Sequence, residues 1–349
     1  MTVAQASDAY LKFQNIHGEN MLFNYLIDST KIQKLIFTFT TLLFVSINTH
    51  AQPTEPETLT VGRPDGSHID YYILEPQGTS PSDILLLVLQ GSDCNSVLRI
   101  NSIFSDYKNV WPEADLLLIE KYGLHKKLSY DANAERKDCP AAYLKNDNPT
   151  QRVTDAKAVL DVVRKNHTYK HIVVVGGSEG ALIANLLAAS VDYLSATIAF
   201  NGGGRWFLDD VLHSITSEYK NADEAKESVE GFTEFAQQIL TSEPFDMAVS
   251  GHGYEWFHQM LTLDQLDVLQ KVHSPLLITQ GGMDVSVSPT KVNEMMLVLQ
   301  ESQKNNIKYL TYEKLDHGFK NSDGRSERKS VVNDMNAWLK TILIKNPNN

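Results

Sequence analysis

The 349-residue sequence is poor in basic residues and contains only two cysteines. Lysine and arginine number 31 against 43 aspartate and glutamate residues, which gives a formal net charge of −12. Because binding to phosphates requires a surplus of positive charge, this balance argues against nucleic acid as a partner. Two cysteines are too few for a disulfide scaffold or a cysteine-rich zinc module, and no His-Glu-x-x-His motif occurs. We therefore expect no metal site.

The apolar run at residues 35–47 is too short for a membrane-spanning helix, which needs about 20 residues. Lysines precede it and the small residues of Thr49–Ala51 follow it, which is the order of a secretory signal. We expect residues 1–51 to be a signal peptide with an N-terminal extension, part of which a start at Met21 would explain. The mature protein would then be periplasmic or secreted, with no stable membrane span. The alternatives are an uncleaved anchor or a buried strand.

Beyond the leader, short apolar runs alternate with helical patterns. Unbroken apolar runs favour a sheet that is covered on both faces, and strand–helix alternation favours a parallel α/β sheet. We predict one such domain over residues 52–349. The predicted strands are Thr58–Val61, Ile69–Leu74, Ile84–Leu89, Asp115–Ile119, Ile172–Val175, Ala196–Phe200, Pro275–Gln280 and Ile307–Glu313, and the clearest helices are Val153–Arg164, Ala181–Ala189 and Val331–Ile344.

One stretch, at about residues 202–271, interrupts this alternation. It combines polar helical patterns with an aromatic cluster that includes Trp206, Tyr254, Trp256 and Phe257. A connection this long between two strands is usually functional. We expect a cap over a pocket, with these four side chains binding substrate. The alternative is a helical excursion whose aromatics form their own small core.

The segment Val173–Ala181 runs from a buried strand through Gly-Gly-Ser-Glu-Gly into a helix. A G-x-S-x-G sequence between strand and helix is typical of a sharp turn that exposes a nucleophilic serine, here Ser178. The alternative is a glycine-rich turn without catalysis, but the segment lacks the lysine of a phosphate-binding loop. We expect Ser178 to be a nucleophile.

A serine nucleophile needs a histidine base and a carboxylate that orients it. The sequence offers both in the required order, because Asp284 follows one predicted strand and His317 follows the next. Asp316 is the rival acid, but its position beside His317 in the chain makes a side-on hydrogen bond awkward. We therefore predict a Ser178–His317–Asp284 triad.

The oxyanion of acyl transfer requires fixed N–H donors. The backbone N–H of Glu179, directly after the nucleophile, is one candidate, and that of Ser92, in the loop after the strand Ile84–Leu89, is the other. The Glu179 side chain would either favour a cationic substrate or cap the following helix. Cys94 and Cys139 both follow predicted strands, and in an exported protein we expect them to form a disulfide that braces the Ser92 loop. The alternative is two independent thiols.

These motifs make the chain resemble the α/β-hydrolase superfamily over roughly residues 58–343. The loop from Gly281 to Pro289 and the His317-Gly318-Phe319 sequence look like the dienelactone-hydrolase and prolyl-oligopeptidase-type branch. The resemblance implies an eight-stranded, mostly parallel sheet and hydrolysis of esters, thioesters or amides without a cofactor. A dienelactone hydrolase carries cysteine where this chain has Ser178, which speaks against that particular activity.

The sequence thus predicts an exported serine hydrolase that cleaves carboxylic esters or thioesters of a small-molecule acyl substrate. A serine peptidase or aminopeptidase on short peptides is the alternative enzyme, in which Glu179 or an acid of the insertion would bind a free amine. A non-catalytic binding protein on the same fold is the alternative from another class.

Overall fold

The computed structural model describes residues 55–76, 82–133 and 136–344. Within these residues the chain forms one eight-stranded sheet in the order β1-β2-β4-β3-β5-β6-β7-β8. Strand β2 pairs antiparallel with both β1 and β4, and every other pairing is parallel. The strands are β1 (Leu59–Gly62), β2 (His68–Leu74), β3 (Ile84–Leu89), β4 (Asp115–Ile119), β5 (His171–Gly177), β6 (Ala196–Phe200), β7 (Leu276–Gly281) and β8 (Ile307–Tyr312). The predicted mostly parallel α/β sheet is confirmed, and the predicted leader lies outside the described residues.

Helices cover both faces of the sheet in the described part of the chain. They are α1 (Asn101–Ser105), α2 (Ala141–Asn146), α3 (Pro149–Asn166), α4 (Glu179–Ser190), α5 (Phe207–Glu218), α6 (Ala222–Thr241), α7 (Tyr254–Thr262), α8 (Gln265–Lys271), α9 (Pro289–Glu301) and α10 (Arg328–Leu343), with short 3₁₀ turns at Val97–Arg99 and Tyr107–Val110. No helix among the described residues is both long and apolar enough to cross a membrane.

The central strand β5 shows why the apolar runs are unbroken. Ile172 and Val174 pack into the cluster that includes α3 and α4, whereas Val173 and Val175 pack into the cluster on the other face, with α10. Alternate side chains of a strand point to opposite faces, so a strand covered on both sides needs an apolar residue at each position. Each fully buried valine or leucine stabilises the fold by about 1.5–3 kcal/mol.

Helices α5 to α8 occupy the stretch between β6 and β7 where an insertion is predicted. Its buried aromatics do not form a separate core, because they belong to the same cluster as β3, β5 and α4. Tyr254 donates its hydroxyl to the carbonyls of Ile239 and Ser242, and the Phe257 ring packs edge-on against Phe235. These contacts lie within the insertion. Trp256 attaches it to the main domain, because its Nε1 donates to Glu179 Oε1 at 3.1 Å.

Candidate active site

Ser178 occupies the turn between β5 and α4. Its backbone has φ 54° and ψ −128°, a conformation that residues other than glycine rarely adopt. The turn requires glycine on either side, because a Cβ at Gly176 would collide with the carbonyl of Gly180, and one at Gly180 would collide with the carbonyl of Leu89. The G-x-S-x-G sequence thus allows strand, turn and helix to approach closely enough to present the serine.

Asp284 and His317 are brought together by the loops after β7 and β8. Asp284 Oδ2 lies 2.8 Å from His317 Nδ1. The same carboxylate accepts bonds from Gln280 Nε2 at 2.9 Å and from the backbone N–H groups of Ser286 and Val287 at 2.8 and 3.1 Å. Its side chain is fully buried. These donors fix the carboxylate, which in turn fixes the imidazole with Nδ1 on the acid side and Nε2 free.

The rival acid is directed elsewhere. Asp316 Oδ1 accepts the backbone N–H groups of Gly318 and Lys320 at 2.8 and 2.7 Å and thereby closes its own loop. The hydrogen-bonded partner of His317 is Asp284, as the sequence predicts.

Asn201, which the sequence analysis did not single out, connects the two segments that carry Asp284 and His317. It directly follows β6, is almost completely buried and has φ 49°. Its Nδ2 donates to the carbonyl of His317 at 2.8 Å, and its Oδ1 accepts the N–H of Gly281 at 2.9 Å. A polar residue directly after an unbroken apolar strand is the signal that could have identified it.

The loop after β3 lies against the nucleophile turn. A Cβ at Gly91 would stand 3.5 Å from Ser178 Cβ, and Ser92 lines the same cavity as Ser178 and Glu179. Two buried cations hold the loop from behind, because Arg152 Nη2 donates to the carbonyl of Gln90 at 2.7 Å and Lys121 Nζ to that of Asp93 at 2.9 Å. The structure therefore places Ser92 and Glu179, whose backbone N–H groups are the predicted donors, in the same cavity wall as Ser178.

Cys94 and Cys139 form the predicted disulfide, with their Cα atoms 5.7 Å apart. The bridge attaches the end of the Ser92 loop to the segment before α2. Within the described residues no cysteine is free.

Replacing both cysteines with serine is expected to lower the free energy of unfolding by about 2–4 kcal/mol, because the bridge closes a loop of 45 residues. Urea unfolding of the oxidised protein and of the double variant measures this difference. A single replacement, Cys139→Ser, is the matched control, since it breaks the same bridge and should cost as much. Equal stability of all three proteins would contradict the structural role.

The cavity at Ser178 has a volume of about 190 Å³. Its wall comprises Ser92, Ser178, Glu179, Leu182, Gly202, Phe207, Asp210, Val211, Trp256, Met260, Gln265, Ser286 and Val287. Of the four aromatic residues predicted to bind substrate, Trp256 belongs to this wall. Tyr254 and Phe257 pack inside the insertion, and Trp206 lies near the Arg205 guanidinium with 37% of its surface exposed. Aromatic clustering alone does not distinguish a cavity wall from a core.

Asp210 is the acidic residue of the insertion that lines the cavity. Its carboxylate accepts the N–H of Gly204 at 2.9 Å and the N–H of Ser288 at 2.8 Å. Burial nevertheless raises its pKa from the ordinary value to about 7. The cavity therefore contains a carboxyl group that changes charge near neutral pH.

The contacts of the Glu179 carboxylate fit neither role predicted for it, which were to attract a cationic substrate or to cap α4. It lies 3.0 Å from Arg152 Nη1 and 3.8 Å from Lys121 Nζ, and it accepts a bond from Trp256 Nε1 at 3.1 Å. Because two cations already neutralise it, it is unsuited to attract a cationic substrate. Its partners are side chains of other elements rather than N–H groups of α4.

Across the three described ranges, no group of three or more His, Cys, Asp or Glu side chains could hold a metal ion.

A strained serine between a parallel strand and a helix, in an eight-stranded sheet of this order, defines a serine hydrolase of the α/β-hydrolase superfamily. Residues 141–345 match the model of the prolyl oligopeptidase family, so more than half of the chain is covered and the protein belongs to that family. A search of curated proteins found no match.

Solved structures share the fold at low sequence identity. Est1E from Butyrivibrio proteoclasticus is 16% identical with a TM-score of 0.55, over 82% of this chain and 99% of that one. The Pyrococcus furiosus esterase Pf2001 is 14% identical with a TM-score of 0.51, over 83% and 91%. A puromycin-hydrolysing peptidase from Mycobacterium tuberculosis is 16% identical with a TM-score of 0.53, over 84% of this chain but only 40% of that one.

Proposed function

We propose that the protein hydrolyses carboxylic esters of small acyl groups through Ser178, His317 and Asp284. His317 Nε2 takes the proton of the Ser178 hydroxyl as Oγ attacks the acyl carbon, and later delivers it to the leaving alcohol. Asp284 orients the imidazole and stabilises its protonated form. The N–H groups of Ser92 and Glu179 bind the oxyanion, and water, activated by the same imidazole, then cleaves the acyl-enzyme.

The observation that carries this proposal is the strained Ser178 turn, which opens into a cavity shared with the Ser92 loop. The hydrogen bond between His317 and Asp284 supports it, since it leaves His317 Nε2 available as a base. A cavity of about 190 Å³ with apolar walls such as Leu182, Met260 and Val287 suits a short acyl chain. The fold is shared with an esterase and a peptidase, so it leaves both bond types open.

The test is a series of p-nitrophenyl esters, from acetate through butyrate to octanoate, assayed with the purified protein. We expect kcat/KM to be highest for the short acyl chains and to fall sharply for octanoate. A protein that hydrolyses no ester of the series contradicts the proposal.

We also propose export to the periplasm or secretion, supported by the predicted signal at residues 1–51 and by the Cys94–Cys139 disulfide, because such bonds persist in oxidising compartments. The N-terminal sequence of the protein recovered from cell fractions tests it. A cytoplasmic protein with an uncut leader would contradict it.

A second candidate, an aminopeptidase or amino-acyl hydrolase, is favoured by the carboxyl group of Asp210 in the cavity wall. A protonated amine on the acyl group would pair with this carboxylate, and a charge-assisted hydrogen bond of that kind contributes about 1.5–3 kcal/mol.

If this second candidate holds, Asp210→Asn is expected to lower kcat/KM for an alanyl p-nitroanilide by about 10- to 100-fold. Turnover of p-nitrophenyl acetate, which has no amine, should change little. Because the pKa of Asp210 is about 7, kcat/KM for the amine-bearing substrate should rise between pH 6 and 7.5 as the carboxylate forms. It should fall again as the α-amino group, with a pKa of about 8, loses its proton. An equal effect of Asp210→Asn on both substrates would contradict amine binding.

A further inference from the structure

Behind the nucleophile turn lies a group of four buried ionisable residues, Lys121, Asp147, Arg152 and Glu179, called here the ion cluster. The exposed fractions of the Lys121, Arg152 and Glu179 side chains are 1%, 6% and 2%. Asp147 is 2% exposed as a residue. Charges removed from water to this degree carry a large desolvation penalty, and apolar residues of the same volume often serve stability equally well. Stability alone is therefore a weak reason for the cluster.

Glu179 is the main counter-charge of the two cations. Although burial alone would raise the pKa of Glu179, Lys121 and Arg152 hold it below its usual value. Burial raises the pKa of Asp147, so this carboxyl group carries its negative charge less readily than Glu179 does. The carboxylate of Glu179 thus stands between Arg152 Nη1 at 3.0 Å and Lys121 Nζ at 3.8 Å.

The same two cations hold the loop that carries Ser92. Arg152 donates through Nη2 to the carbonyl of Gln90, two residues before Ser92, and Lys121 donates to the carbonyl of Asp93, one residue after it. Both ends of the short segment are therefore attached to cations that lie within 4 Å of the Glu179 carboxylate.

We propose that Glu179 is a positioning residue that sets the distance between the two oxyanion donors. Its backbone N–H is one donor, and its carboxylate, through Arg152 and Lys121, holds the loop that supplies the other, the N–H of Ser92. The inference rests on the proposed function and extends it, because it gives the side chain of the residue after the nucleophile a part in turnover. Trp256, which donates to the same carboxylate, ties one wall of the cavity to this arrangement.

The variant Glu179→Gln tests the role with least disturbance. The glutamine keeps the volume and an oxygen acceptor for Trp256 but removes the charge that holds Arg152 and Lys121. We expect kcat for p-nitrophenyl acetate to fall by about 10- to 100-fold, which is below the loss seen when an oxyanion donor is removed outright. KM should change less than threefold, because the substrate carbonyl gains its strongest bonds to the donors only in the transition state.

A thionoester substrate separates donor positioning from a general loss of structure. Sulfur is a weaker hydrogen-bond acceptor than oxygen, so a well-placed pair of donors favours the oxygen ester over its thiono analogue. We expect the ratio of kcat/KM for the ester to that for the thionoester to fall at least fivefold in Glu179→Gln.

Asp155→Asn is the matched control. It removes the carboxylate of another buried ion pair, in which Asp155 Oδ1 and Oδ2 lie 2.9 and 2.7 Å from the Arg63 guanidinium. The other side-chain donor to this carboxylate is Gln151 Nε2 at 2.8 Å, which is not part of the Ser92 loop. We expect this variant to lose stability and to keep the kcat and the ester-to-thionoester ratio of the wild type. The melting temperatures of both variants show that each is folded under the assay conditions.

A fallen ratio in Glu179→Gln with an unchanged ratio in Asp155→Asn supports the inference. An unchanged ratio in Glu179→Gln, whatever its kcat, overturns it while leaving the proposed function intact. A wild-type protein that hydrolyses neither ester contradicts the proposed function and this inference with it.

Discussion

Replacing Ser178 with alanine is expected to lower ester turnover by about 10⁴- to 10⁶-fold, because alanine has no hydroxyl to attack the acyl carbon and form the acyl-enzyme. The fold should be retained, since alanine and serine meet the same backbone restriction at φ 54°. Steady-state hydrolysis of p-nitrophenyl acetate by the two proteins measures the loss. Turnover within tenfold of the wild type would contradict the assignment of the nucleophile.

A second substitution at the same position separates catalysis from strain. Glycine adopts a positive φ without penalty, whereas an L-residue in this region carries about 1–3 kcal/mol of strain. Glycine also has more conformational freedom in the unfolded chain than alanine, and losing it on folding lowers the stability of the glycine variant by about 0.5–1 kcal/mol. Ser178→Gly should therefore be as inactive as Ser178→Ala and more stable by about 1 kcal/mol in urea unfolding. Two variants of equal stability would argue against a strained nucleophile.

Replacing Asp284 with asparagine is expected to lower kcat by about 10⁴-fold while the protein stays folded. The asparagine oxygen would still accept N–H donors, but its amide nitrogen would face His317 Nδ1. This would favour the imidazole tautomer that carries its proton on Nε2, where the base must be free. Measurement of kcat across pH 5–9 tests the loss at every protonation state of the histidine.

Asp316→Asn is the control for that experiment. Asp316 neighbours His317 in sequence, but its carboxylate is occupied by the N–H groups of Gly318 and Lys320. We expect its kcat to stay within tenfold of the wild type. A large loss in Asp316→Asn together with a small one in Asp284→Asn would reverse the assignment of the acid.

The sheet and its nucleophile turn could be predicted because both depend on local sequence. Strands covered on both faces need apolar residues at successive positions, so Ile84–Leu89 and Ala196–Phe200 have the same bounds in the prediction and in the structure. The turn at Ser178 is equally local, since close contacts of the backbone require the glycines beside it. The proximity of Asp284 and His317 could also be predicted, because each follows the end of a strand and the carboxyl ends of parallel strands lie at the same edge of a sheet.

The residues missed are those whose role depends on contacts far away in the chain. Arg152 lies four residues before Ala156, on the buried face of α3. A charged residue at an apolar position of a helix was the one sign in the sequence that Arg152 is buried and paired. Nothing near Lys121 or Asp210 in sequence shows that either is buried, because their partners come from other elements. Tyr254 and Phe257 illustrate the reverse error, since an aromatic residue in an insertion packs into a core as readily as into a cavity wall.

The central claim is that Ser178 is an activated nucleophile, and the most direct test is the intact mass of the protein after exposure to a fluorophosphonate. The wild type is expected to gain the mass of one phosphonyl group, and Ser178→Ala, treated identically, is expected to gain none. An unlabelled wild type that is folded, or an adduct that persists in Ser178→Ala, would contradict the account.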